Sequence, residues 1–199
     1  MGRVLPKVAR KVQGALVSKS PIYITGNQNK ADYLARILGI ELEHHKLDLD
    51  EIQSIDPEEV VIHKVKQAYA ILQKPVLIED TSLFFNALDG LPGPFVKFFV
   101  TAKDGQNIMC RMLDGFEDRT AYASAIYAYY DGETMRIFTG RLNGVIADSP
   151  RGGGGYGWDG VFEPEGYGGR TRAELSPEED DESYAKIRDF DGLRAFLLQ

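Results

Sequence analysis

Two carboxylates in succession, Glu79-Asp80, follow the apolar run Pro75-Val76-Leu77-Ile78. Acids beside a buried strand are costly unless they meet a cation or solvent. Hard oxygens of this kind suit Mg²⁺ or Mn²⁺ bridging substrate phosphates, and one carboxylate can also activate a water. Glu51, after Leu47-Asp48-Leu49-Asp50, is a candidate to complete the set. A second segment, Thr25-Gly26-Asn27-x-x-Lys30, follows the short apolar strand Ile22-Tyr23-Ile24. It brings together backbone N–H groups, a helix N-terminus and a lysine, which suits an anion such as phosphate. It is not a Walker loop, because Gly-Lys-Ser/Thr is absent. Each feature has a plainer counterpart: a solvated acidic loop, a surface acid, an Asn-capped helix with its lysine in water.

The third group is glycine-rich. Nine of the 21 glycines fall in residues 152–169. Gly152 to Gly157 formally satisfies G-x-G-x-x-G, but no apolar strand leads into it and no helical pattern follows, so it is not a dinucleotide fingerprint. Tyr156 or Trp158 can stack on a base and Asp159 can accept from it, while a lone Trp also reads as core. His44, His45 and His63 lack transition-metal spacing, and Cys110 sits between Met109 and Met112 as packing. Phosphate-binding groups, hard-metal ligands and a base platform together describe a nucleotide site.

An α/β alternation must position these groups. The spacing predicts a strand at 22–24, a helix from about Gln28 to Leu38 stopped by Gly39, and a strand over 41–49. Asp56-Pro57-Glu58-Glu59 caps a helix running to about Gln73, and the next strand is expected to end at Glu79-Asp80. Leu91-Pro92-Gly93-Pro94 is a rigid turn before a helix opening at Phe95. Residues 120–130 alternate small and aromatic side chains, Asp131-Gly132 turns the chain, and about 134–145 pairs back. A last helix from about Glu182 packs Phe190, Leu193, Phe196 and Leu197.

Composition narrows the classes. The 199 residues suit one domain, and 43% hydrophobic with 27% charged residues is a globular balance. The net charge of −7 divides unevenly: residues 1–20 carry five positive groups and no acid, leaving −12 on residues 21–199. A body of that charge is a poor binder of duplex nucleic acid. One cysteine excludes an internal disulfide framework, and no apolar run is long enough to span a bilayer. The basic start reads as a frayed extension or as an amphipathic presequence of mitochondrial type; residues 21–199 read as a single domain.

In combination, the motifs resemble the inosine triphosphate pyrophosphatases, which remove non-canonical purine nucleoside triphosphates. The resemblance spans about residues 22–175. It rests on Thr25-Gly26-Asn27-x-x-Lys30, Leu47-Asp48-Leu49-x-Glu51, Lys64 and Ala68, Val76 to Thr81, Phe85 to Lys97, Gly115-Phe116-Glu117-Asp118, Arg151-Gly152 and Gly157-Trp158-Asp159. It implies an α/β fold of two lobes on a long, bent, mixed β-sheet flanked by helices, with a nucleotide cleft between the lobes. It further implies a homodimer, residence in the cytoplasm, and Mg²⁺-dependent hydrolysis (Mn²⁺ as a substitute) of inosine, xanthosine and related ribo- or deoxyribo-triphosphates to monophosphate and pyrophosphate. Carried onto matching positions, Thr25, Gly26, Asn27 and Lys30 hold phosphates, with charge added by Lys64 and Lys97. Glu51 and Asp80, with Glu79, serve the metal. Asp80 also orients or deprotonates the attacking water beside Lys30. Tyr156, Trp158 and Asp159 hold base and sugar.

The pattern departs at its C-terminal end. The resemblance places a base-contacting lysine at Asp180 and a Ser-His-Arg triplet at Tyr184-Ala185-Lys186, where only Lys186 keeps a like charge. Lys186 or Arg188 can take over the donor role there, the run from Glu178 to Glu182 remaining solvated surface. Alternatively the carboxylates accept from an amino-bearing base, giving a shifted or relaxed base preference. A catalytically silent nucleotide-binding or dimer-interaction module is a third possibility, and the intact Lys30, Glu51, Asp80 and Lys97 speak against it.

Overall fold

The computed structural model describes residues 20–199. Residues 1–19 of the basic start, with the presequence reading, lie outside the described residues. Strand β1 (Ile22–Ile24) leads into helix α1 (Gln28–Leu38), which Gly39 ends in the left-handed conformation at φ +69°. Strand β2 (His44–His45) then pairs with β1 in parallel. It is far shorter than the expected 41–49, because β1 offers only Tyr23 and Ile24 as partners. Helix α2 (Pro57–Leu72) starts at Asp56, whose side chain accepts from the Glu58 N–H.

Strand β3 (Val76–Phe85) does not end at Glu79-Asp80 as expected but runs on for another five residues. The apolar run marks only its buried beginning; its length is set by strand β5 (Thr120–Tyr130), which pairs with it antiparallel from Val76↔Tyr130 to Phe85↔Ala121. The other edge of β3 is covered in two pieces. β1 pairs at Val76 and Leu77, and strand β4 (Pro92–Gly93) pairs at Leu83 and Phe84. Between them residues 78–82 have no strand partner on that edge among the described residues, and the two acids sit in that gap.

Helices α3 (Val96–Thr101) and α4 (Gly105–Arg111) precede β5, and strand β6 (Met135–Ile146) returns from it along eleven paired positions. Strand β7 (Phe162–Pro164) closes a seven-stranded mixed sheet of order β2-β1-β3-β5-β6-β7, with β4 beside β3. The single C-terminal helix expected from Glu182 is two helices, α5 (Pro177–Lys186) and α6 (Phe190–Leu197). Ser176 and Glu179 form a capping box that starts α5, and the Asp189 side chain accepts from Gly192 N–H to start α6.

The open sheet with helices about it is an α/β fold. Its long strands serve two lobes. At one end, Leu83, Phe85, Ala121 and Ala123 pack with Met109, Trp158 and Phe162. At the other, Tyr23, Leu77, Tyr127 and Tyr129 meet α1 and α6, while Val76, Ile78, Ile126 and Ala128 meet α2 on the opposite face. Among the described residues no helix is long and apolar enough to cross a membrane.

Candidate active site

The pleat of β3 decides how the acid pair is used, because successive side chains of a strand point to opposite faces. Leu77 and Glu79 face α1 and α6; Ile78 and Asp80 face α2. The two adjacent carboxylates therefore belong to two separate charge networks on either side of the sheet.

On the α2 side, Asp80 Oδ1 accepts from Lys64 Nζ at 3.1 Å, and the same ammonium donates to Glu51 Oε1 at 3.3 Å. Glu51 Oε2 accepts in turn from Lys97 Nζ at 3.0 Å. Lys64 comes from the middle of α2, Lys97 from the first turn of α3, and Glu51 from the irregular segment after β2, so three elements converge on this line. Burial raises the Asp80 carboxyl above its ordinary value, and Lys64 pulls it only partly back. For Lys64, burial works against the ammonium, but Asp80 and Glu51 outweigh it and leave the group raised. For Glu51 burial is likewise the largest influence, and Lys97 with Lys64 overcomes it to hold the carboxyl low. The lysine and Glu51 are thus held toward their charged forms, while burial works against that of Asp80.

On the α1 side, Glu79 is almost wholly enclosed. Its Oε2 accepts from Tyr23 OH at 2.9 Å and from Lys30 Nζ at 3.2 Å; its Oε1 accepts from Arg188 Nε at 2.8 Å and Nη2 at 2.6 Å. Burial alone would raise this carboxyl, yet Arg188 and Lys30 hold it down to about 2. Both oxygens of Glu79 are occupied by protein donors, as both oxygens of Glu51 are by lysines, whereas Asp80 is paired through Oδ1.

A polar cavity of about 530 Å³ lies between these networks and the start of α1, lined by Thr25, Gly26, Asp48, Glu51, Lys64 and Lys97 among others. Thr25 Oγ1 accepts from Asn27 N–H at 3.1 Å, and Asn27 Oδ1 accepts from Lys30 N–H at 3.3 Å, which fixes the turn into the helix. The N-terminal end of α1 therefore opens beside the cavity, a position that favours anions. A Cβ on Gly26 would stand 3.1 Å from the Lys46 side chain, so the turn is closely packed there.

Among the described residues no three of His, Cys, Asp and Glu converge as a complete metal cage. Asp80 and Glu51 nevertheless share one cation already, the Lys64 ammonium. Two hard carboxylates with room for phosphate oxygens and water are the set that Mg²⁺ or Mn²⁺ accepts. The pair fits such an ion.

The expected base-end residues do not line this cavity: Trp158 packs edge-on against Phe162, with centroids 5.6 Å apart, and is largely buried. Tyr156 is 87% exposed. Asp159 is buried; its Oδ2 accepts from the Tyr156 N–H at 2.7 Å and its Oδ1 from Arg172 Nη1 at 2.9 Å. Arg172, from the short 3-10 turn Arg172–Glu174, also donates to Ser183 Oγ at 3.0 Å and pairs with Asp180. Its guanidinium lies 5.7 Å from the Trp158 ring. Gly152, at φ +85°, lies against this turn: a Cβ there would meet Ala173 O at 2.4 Å. Lys186 is placed otherwise, on the surface, paired with Glu182 at 2.6 Å and 5.0 Å from the Tyr167 ring. Much of the acidic run is paired, not simply solvated: Glu179 with Arg170, Asp180 with Arg172, Asp181 with Arg36. Sequence reasoning missed Arg172 and Tyr23 altogether and treated Arg188 only as a stand-in donor. No spacing rule links Arg188 to Glu79, which stands 109 positions away.

The fold and the cleft define an open-sheet α/β protein with a polar site at the gap between β1 and β4. The Ham1 family model matches residues 22–196, and the chain belongs to the Ham1 family. The inosine triphosphate pyrophosphatase of Yarrowia lipolytica (strain CLIB 122 / E 150) is 43% identical over 185 residues, covering 90% of this chain and 96% of that protein. The inosine triphosphate pyrophosphatase of Batrachochytrium dendrobatidis (strain JAM81 / FGSC 10211) is 45% identical over 153 residues, 75% of this chain and 79% of the other. Among solved structures, a HAM1 protein from Coxiella burnetii superposes with a TM-score of 0.78 at 25% identity, over 89% of this chain and 98% of that one. The Staphylococcus aureus Ham1 protein gives 0.76 at 26% identity, with the same two shares.

Proposed function

We propose that this chain hydrolyses inosine triphosphate and related nucleoside triphosphates to the monophosphate and pyrophosphate, clearing them from the nucleotide pool. The observation that carries the reading is the line Asp80–Lys64–Glu51–Lys97 along the cavity that the start of α1 opens beside. It supplies hard oxygens and ammonium groups at one place, which is what a triphosphate with its counter-ion requires.

In this reading Thr25, Gly26 and Asn27 offer the backbone and side-chain groups of the α1 turn to a phosphate, and Lys30 adds charge. Asp80 and Glu51 would hold Mg²⁺, or Mn²⁺ in its place, an ion that would supply positive charge to offset that of the phosphates. Asp80 is largely enclosed, its carboxyl raised by burial against the pull of Lys64, and it is the group that orients the attacking water and takes its proton. Lys64 and Lys97, which the same carboxylates hold beside the cavity, would lend their charge to the phosphates. Such catalysis is mainly positioning and charge neutralisation. Trp158, Asp159 and the exposed Tyr156 supply the base end. The same reading makes the chain a cytoplasmic homodimer, following the resemblance of its motifs.

A second reading of base preference draws on Asp180, whose half-exposed side chain pairs with Arg172. A carboxylate at that place would accept from the exocyclic amine of an amino-bearing base, giving a preference shifted or relaxed toward amino-bearing or canonical triphosphates. Pyrophosphate release from inosine, xanthosine, adenosine and deoxyinosine triphosphates decides between the two. Negligible release from every triphosphate, equal in the wild type and in Asp80→Asn at varied metal, would support a silent nucleotide-binding module instead.

A further inference from the structure

Glu79 has two cationic partners of unequal character. Arg188 is enclosed, its side chain 3% exposed like that of Glu79. It donates twice to Oε1, gives Nη1 to the Tyr184 carbonyl at 2.9 Å, and lies 3.3 Å from the Tyr184 ring centroid. Lys30 makes one contact of 3.2 Å, and its side chain is 41% exposed. A planar guanidinium held on three sides is a fixed counter-ion, whereas an exposed ammonium on a flexible stem changes partner readily.

We propose that Arg188 is a positioning residue whose task is to neutralise Glu79, leaving Lys30 free to exchange that carboxylate for a phosphate oxygen of the substrate. The inference rests on the nucleotide reading above. Without Arg188, the enclosed Glu79 has Lys30 as its remaining cation and competes with phosphate for it. Without Glu79, nothing holds Lys30 back. The α5–α6 junction, which carries Arg188, thereby sets how strongly the opposite side of the cleft attracts phosphate.

Pyrophosphate, the product in that reading, is the probe. Its dissociation constant is measured by calorimetry in metal-free buffer, with inosine triphosphate hydrolysis followed in parallel. Binding weakens roughly tenfold in Arg188→Gln and tightens roughly threefold in Glu79→Gln, the scale of one partly screened charge interaction. The double variant returns to within about threefold of wild type, and Arg188→Lys recovers part of the loss. A merely structural pair would give weaker binding in every variant. Unchanged binding in Arg188→Gln, or weaker binding in Glu79→Gln, overturns the proposal; should Arg188→Gln not fold, the sign in Glu79→Gln decides. A wild type that neither binds pyrophosphate nor hydrolyses any triphosphate overturns the nucleotide reading and this inference with it. A wild type that does both, with variants that fail to diverge in sign, sinks the Arg188 role alone.

Discussion

Acid should unlock the Glu79 network, and its effect on stability can be worked out in advance. In the folded chain the carboxyl titrates at about 2, against 4.5 for an ordinary glutamate, because Arg188 and Lys30 overcome its burial. That difference is worth about 3 kcal/mol at neutral pH, since one pH unit corresponds to about 1.4 kcal/mol. The folded value is the depressed one, so the stabilisation is complete above about pH 5. It fades as pH falls through 4.5 toward 2. Glu79→Gln has nothing to titrate at this position. Urea unfolding of both proteins at pH 7, 5, 4 and 3 isolates the contribution, because the other carboxyls titrate in both. The wild-type advantage is expected to hold steady from pH 7 to 5, then shrink by about 2 kcal/mol by pH 3. A gap that stays constant from pH 6 to 3 would refute the ion-pair account of this side of the sheet.

Four further outcomes follow from the same geometry. Asp80→Asn should lower turnover by roughly 10²–10⁴-fold while nucleotide binding persists, as removal of a base does; direct binding measured beside pyrophosphate release checks it. Arg172→Met strands Asp159, which is buried, and unpairs Asp180. A loss of about 3 kcal/mol is expected, a fall of ~6–12 °C in unfolding midpoint by calorimetry. Asp180→Asn should raise the xanthosine-to-inosine ratio in kcat/KM roughly fivefold, because xanthine loses a ring proton near neutral pH and meets one fewer negative charge. An unmoved ratio in an active enzyme would exclude Asp180 from the base end. Gly152→Ala forces a Cβ against Ala173 O at a positive φ, and should cost about 2 kcal/mol in chemical denaturation while raising KM more than it lowers kcat.

Local signals were readable where the cause is local. The Asp56-Pro57 cap, the Gly39 stop and the Asp131-Gly132 turn each act within a few residues, and the elements they bound were expected from sequence. Ser176-Pro177-Glu178-Glu179 carries a capping box of the same kind. The acidic run after it hides any apolar period, so the sequence predicts one helix where two stand. β3 and β2 failed for the opposite reason. The extent of a strand depends on its partner: β5 extends β3 through two charged residues, and the three-residue β1 limits β2 to two. The site shows the same division. Its acids and lysines lie in recognisable short motifs. That Glu79 and Asp80 part company is a consequence of the pleat, visible only once the strand is known to continue. Arg188 and Arg172 reach their partners by tertiary folding alone.

The charge of the chain then stops being a puzzle. Residues 21–199 carry −12, yet the proposed substrate is a polyanion. Around the cavity, however, Glu51, Glu79 and Asp80 are ion-paired with Lys30, Lys64, Lys97 and Arg188, and with Asp48 and Asp50, which also line it, five carboxylates stand near balance with four cations. Fields between groups 3 Å apart exceed those of exposed acids more than a Debye length away, which salt largely screens. The local balance therefore governs whether phosphate can enter, and net charge governs only solubility and the exclusion of long polyanions. This arrangement also accounts for retaining costly buried acids. Each one fixes the place of an ammonium that an open cavity would leave to wander in solvent, and in the proposed reaction each ammonium changes partner when the triphosphate arrives. A site of fixed positive charge would hold the product as firmly as the substrate. One in which lysines return to Asp80, Glu51 and Glu79 has a built-in competitor to displace pyrophosphate.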